Sequence, residues 1–72
     1  MTKTYMIDNF LDLQTLHEQA RKCPYTVTVF DSHHSNADAK SILGLMSLIY
    51  ADPVRISCEA DSFFSTIPLH EV

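Results

Sequence analysis

The chain has 72 residues, nine acidic against five basic side chains, a net charge of −4 and 46% hydrophobic residues. That length supports one small two-layer domain of marginal stability, and the hydrophobic content excludes wholesale disorder. No Lys/Arg cluster supplies the basic footprint of a nucleic-acid binder. The longest apolar run, broken at Ser47 and closed by Asp52-Pro53, falls far short of the ~20 residues of a membrane span.

In chain order, Thr2 to Ile7 predicts a first strand with Tyr5 and Ile7 on one face. Asp8-Asn9 offers a helix cap, with Asp12 near the positive end of the helix that follows. Phe10, Leu13, Leu16 or His17, and Ala20 recur at helical spacing, Arg21 and Lys22 suit the last turn, and Pro24 ends the helix. Tyr25 to Phe30 reads as the clearest strand, with Tyr25, Val27 and Val29 on one side. Asp31-Ser32-His33-His34 is a polar turn, and a weak third strand runs from about Ser35 to Ala39.

A second helix is predicted to start at Ser41 as its cap, with Ile42, Leu45, Met46 and Ile49 as one apolar stripe. Gly44 inside it costs roughly 1 kcal/mol against alanine, which calls for a close-packing reason. Asp52-Pro53 turns the chain into a fourth strand, Val54 to Glu59, with Val54, Ile56 and Cys58 inward. Asp61 or Ser62 then caps a short last helix through Phe63-Phe64, limited by Pro68. One of the two rings is expected to close the core while the other is exposed, and the shortness of this helix is expected to leave part of the sheet or of the first helix uncovered, which invites a homodimer. The pattern predicts an α+β fold: a four-stranded antiparallel sheet covered on one face by two helices plus a short third, an open-faced sandwich.

Few side chains carry recognisable chemistry. Cys23 and Cys58 form no CxxC motif, and without a leader segment they read as reduced, mostly buried thiols of a cytoplasmic protein. His33 and His34 are adjacent and point apart, so no metal site is expected from them; His17 with Glu18 reads as a helix-surface pair. No nucleophile, base and orienting group can be assembled, and a single glycine rules out a phosphate-cradling loop. No catalytic residue and no cofactor are therefore predicted.

The segment from Asn36 through Ala39-Lys40-Ser41-Ile42, Gly44 and Met46-Ser47-Leu48 resembles the second-helix motif of HPr, the phosphocarrier of the bacterial sugar phosphotransferase system. Element order and spacing extend the likeness more loosely along the chain. The resemblance implies a four-stranded sheet with three helices, and a docking helix whose Lys40, Ile42, Leu43 and Met46 meet partner proteins. It also implies Ser41 as a regulatory phosphorylation site. The family's carrier histidine, followed by alanine, arginine and proline, falls at Asn9 or Phe10, followed here by Leu11, Asp12 and Leu13. The implied protein is a regulatory or protein-binding module of the phosphotransferase system without the carrier histidine. Two alternatives stand beside it: an active carrier using a displaced His17, and an assembly module that reuses the fold.

Overall fold

The computed structural model describes all of residues 1–72. Its elements are β1 (Thr2–Met6), α1 (Phe10–Lys22), β2 (Val27–Phe30), β3 (Asn36–Asp38), α2 (Ile42–Met46), β4 (Val54–Cys58), a 3-10 helix over Asp61–Ser65, and β5 (His70–Glu71). The strands form one antiparallel sheet in the order β3-β2-β4-β1-β5. The α+β class with its antiparallel sheet is as the sequence predicts. The strand count is not: the sheet has a fifth strand. After Pro68 stops the 3-10 helix, the chain returns along the free edge of β1, pairing Tyr5 with Glu71 and Met6 with His70. Neither His70 nor Glu71 has strand propensity; the strand exists because β1 offers unpaired backbone groups.

Register decides which face is buried. Val27 lies opposite Cys58, Val29 opposite Ile56, and Tyr5 opposite Val54, and these residues are buried together. One residue along each strand the pattern inverts. Thr28 faces Ser57 and Phe30 faces Arg55, whose guanidinium sits 5.4 Å from the Phe30 ring on the opposite, more exposed surface. Tyr25, expected on the strand, lies outside it and is exposed, because the residues after Pro24 turn before pairing begins.

α1 is a well-specified helix. The Asn9 side chain accepts the Asp12 backbone N–H at 2.9 Å, and Asp12 in turn accepts the Asp8 N–H at 3.0 Å, a reciprocal cap. Arg21 and Lys22 occupy the last turn, and Leu13, Leu16 and Ala20 form its buried stripe. They pack on the sheet with Leu45, Leu48, Phe63, Phe64 and Ile67 in one core cluster.

Both rings of the Phe63-Phe64 pair are buried, which corrects the expectation that one would be exposed. The 3-10 helix wraps the end of the sheet tightly enough to turn both inward. They meet edge-to-face at 5.7 Å, and Phe64 lies parallel to Tyr5 at 6.3 Å, with the Lys3 Nζ over the Phe64 ring at 5.6 Å. No helix is long and apolar enough to cross a membrane.

Candidate functional site

α2 spans only Ile42–Met46, and Leu45 is its single buried residue. The predicted stripe of Ile42, Leu45, Met46 and Ile49 splits: Leu45 faces the core, Ile42 is half-buried, and Met46 and Ile49 are exposed. The helix stops short of Ile49 because polar groups claim its end. Ser47 donates its hydroxyl to the Gly44 carbonyl at 2.6 Å, and the Tyr50 hydroxyl donates to the Leu45 carbonyl. The Ile49 N–H is given to an Asp31 carboxylate oxygen at 3.0 Å. Leu48, off the predicted stripe, drops into the core instead.

Asp31 is the organiser of this corner, and the sequence reading treated it only as a turn residue. It is buried, and its carboxylate also accepts the N–H groups of His33 and Ser35, each at 2.9 Å. Hydrogen bonding from the Ile49 N–H first, then from Ser35 and His33, holds its carboxyl below the usual carboxylate range against the opposing cost of burial. The signal was available: an aspartate at the head of a polar turn bonds backbone N–H groups a few residues on. Burial, with the Asp31 charge nearby, pushes the Tyr50 phenol up to about 12. The Asp31–Ser35 turn places His34 at φ 65, in the left-handed region, and His33 and His34 are both exposed.

Ser41 is the helix cap that the sequence predicts. Its hydroxyl oxygen accepts the Gly44 N–H at 3.2 Å, and its side chain stands at the surface. Because α2 has five residues, its dipole is small, and support for a phosphate from that source is weaker than a longer helix would give. Lys40 is exposed beside it, its N–H donated to Asp38 at 2.9 Å. Gly44 has the close-packing reason expected of it: an added Cβ would stand 3.3 Å from the Ala37 Cβ on β3, so glycine lets α2 lie against the sheet edge.

Around α2 the surface is apolar. Leu43 is 77% exposed and Leu11 67%, with Met46 and Phe10 more than half exposed. Phe10, Leu13, Met46 and Tyr50 line a cleft of about 370 Å³ between the start of α1 and the end of α2. Leu11 and Ile42 line a neighbouring depression with His17. Of the expected docking residues, Met46 thus meets Phe10 and Ile42 meets Leu11, while Leu43 stands exposed on α2; Phe10, expected on the apolar stripe of α1, is half exposed instead. Leu11 was detectable, since it lies across the helix from the Leu13, Leu16 and Ala20 stripe.

His17 is not a surface partner of Glu18 but reaches α2's approach, its Nδ1 2.9 Å from the Ala39 carbonyl. That contact requires Nδ1 to carry the proton in the neutral ring and leaves Nε2 as the free nitrogen. No three or more His, Cys, Asp or Glu side chains converge as a metal-binding group. Compared with models of known protein families and with curated proteins, the chain matches none.

Proposed function

We propose that the chain is an HPr-like, open-faced protein-docking module that does not carry phosphate on histidine. It presents the joined α1–α2 face to a cytoplasmic partner of the sugar phosphotransferase system or its regulation. The observation that carries this reading is the apolar surface of Phe10, Leu11, Leu43 and Met46 at two adjoining helices. A small monomeric domain rarely leaves such a concentration of large apolar side chains uncovered without an interaction to use it. The cleft between Phe10, Met46 and Tyr50 has the size and lining to take one aliphatic or aromatic anchor from a partner. At the carrier position stand Asn9 and Phe10, neither able to act as a phosphoryl nucleophile. The role is binding, without catalysis, and Ser41 at the edge of the face is the point of regulation by phosphorylation.

The test is competition. Added to the phosphotransferase system's first enzyme, phosphoenolpyruvate and authentic HPr, the chain is expected to slow phosphorylation of HPr without becoming phosphorylated. Leu43→Glu is expected to weaken that inhibition at least about tenfold. In parallel, ATP and an HPr kinase are expected to add one phosphoryl group by intact mass, lost in Ser41→Ala. An acid-labile phosphate from phosphoenolpyruvate that disappears in His17→Ala would instead establish the carrier reading, with Nε2 the accepting atom. Absence of both competition and phosphorylation would leave an assembly module.

A further inference from the structure

Cys23 caps the C-terminal end of α1 and Cys58 ends β4; though 35 positions apart in sequence, their sulfurs lie 4.0 Å apart. The two are unequal. Cys58 is buried on the core face opposite Val27, and its backbone is fixed on both sides by Met1, the Cys58 N–H donating to the Met1 carbonyl at 3.0 Å and the Met1 amino group donating back to the Cys58 carbonyl at 3.0 Å. Cys23 is half-buried and lines a cleft of about 390 Å³ that runs between Lys22 and Phe63 to the surface. Cys23 borders a cleft that can admit a small molecule, whereas Cys58 is enclosed and borders none.

We propose that Cys23 and Cys58 are a redox-active dithiol, which closes to an intramolecular disulfide on meeting a low-molecular-weight disulfide of the glutathione class. The Cys23 thiolate attacks one sulfur of the small disulfide, forming a mixed disulfide on Cys23 and releasing one thiolate. Cys58 then gives its proton to that released thiolate and attacks the Cys23 sulfur, expelling the second thiolate, which takes its proton from water at the expense of the one Cys23 lost. The protein loses two electrons and two protons, and the small disulfide becomes two thiols. A bonded pair needs sulfurs ~2.05 Å apart, so from 4.0 Å the gap to close is about 2 Å. Lys22 at the cleft rim suits a small disulfide that carries carboxylates. Burial pushes the Cys58 thiol up, so the second step quickens as pH rises. A partly accessible attacking sulfur beside an enclosed resolving one is the arrangement that thiol switches use.

The folded chain is equilibrated with oxidised and reduced glutathione, its remaining thiols are alkylated, and the intact mass is read. The expected product is a monomer short of two hydrogens, restored by reductant and melting more than about 5 °C higher than the dithiol form. The effective concentration of the pair should exceed that of the same chain unfolded in urea by more than about tenfold, because the fold supplies the proximity. Cys58→Ser should stop at a glutathionyl adduct on Cys23. Should that variant not fold, the native-against-urea comparison on the unmodified chain decides alone. A native value no greater than the unfolded one, or a glutathionyl adduct on the unmodified chain that never closes, overturns the proposal.

Discussion

α1 and α2 lie against the same sheet and are held there by different means. α1 has thirteen residues, a reciprocal cap, cations in its last turn, and three side chains buried as a stripe. α2 has five residues and buries only Leu45. What fixes α2 is polar: the Ser41 cap, the bonds from Ser47 and Tyr50 to its carbonyls, and the Asp31 carboxylate gripping the segment just beyond it. Two of its four apolar side chains, Leu43 and Met46, face water and do not contribute to the core. The contrast teaches that hydrophobic content has two uses in this chain. In α1 it makes the fold, while in α2 a polar scaffold holds it on display. α1 takes part in both, since Leu13 is buried while Phe10 and Leu11 on the same helix are exposed.

The harshest way to probe that difference is truncation of a leucine in each helix. Leu16→Ala removes a fully enclosed side chain and should cost about 3 kcal/mol, with a fall in Tm of about 15 °C. Against a total stability of about 4–11 kcal/mol for a chain of this length, that loss is severe. Leu43→Ala should move Tm by no more than a few degrees, within about 0.5 kcal/mol of zero. Thermal melts of the two variants side by side check the assignment; equal losses would mean that α2 is packed as firmly as α1.

A selective loosening of α2 comes next. Asp31→Asn keeps an acceptor for the turn N–H groups but replaces one accepting oxygen by an amide that cannot accept from Ile49. Amide exchange at Ile49 and Leu48 should quicken far more than at Leu16. The pH dependence has a definite sign. The folded carboxyl titrates below its ordinary 3.8, so its contribution is present above that value and is lost as pH falls through the lowered one. The gap in urea midpoint between the native chain and the variant should therefore be widest near neutrality and close in acid.

The fold was largely legible because α1 and the central strands are specified locally. Asn9, Pro24 and the alternation of Val27, Val29, Val54 and Ile56 each signal their element within a few residues. β5 was not legible, since His70 and Glu71 become a strand only through β1's open edge. Nor was the short extent of α2. Its apolar periodicity continues to Ile49, and what overrides it is a carboxylate arriving from Asp31, 18 positions earlier. Ser41 was legible as a cap, but the docking role of Leu43 and Met46 came only from the resemblance, since spacing alone put Met46 on the apolar stripe; Leu11 was legible from its place across α1, whereas the exposure of Phe10 required the packing of α1 against α2. The cysteine pair was invisible because nothing in sequence relates the end of a helix to the end of a distant strand.

Tyr50→Phe tests the polar scaffold more gently. It removes the hydroxyl bonded to the Leu45 carbonyl and should cost about 1 kcal/mol. The phenol is held at about 12 in the folded chain against 10.0 in the unfolded one, so its contribution is intact below pH 10.0 and disappears as pH rises from 10.0 to about 12. Stability of the native chain and of the variant should therefore converge across that window. An ultraviolet titration of the native chain should show a late phenolate step near 12 that the variant lacks. A hydroxyl that ionises at its ordinary value would mean that the Tyr50 side chain stands in water and does not close the end of α2.

The smallest expected effect on stability is the most informative about use. Leu43→Glu and Met46→Glu place a charge where the side chain already faces solvent, so no buried group is orphaned and no cavity is opened. Each should leave the melt within about 0.5 kcal/mol of the native chain and raise solubility. If α2 were merely a short core helix, a glutamate at either position would be expelled only by disturbing Leu45, and the melt would fall. If it is a displayed surface, the same two changes leave the fold intact and abolish inhibition of HPr phosphorylation. Loss of binding without loss of stability is the signature that separates a side chain kept for contact from one kept for packing. Leu16→Ala, which should lose both together, is its control.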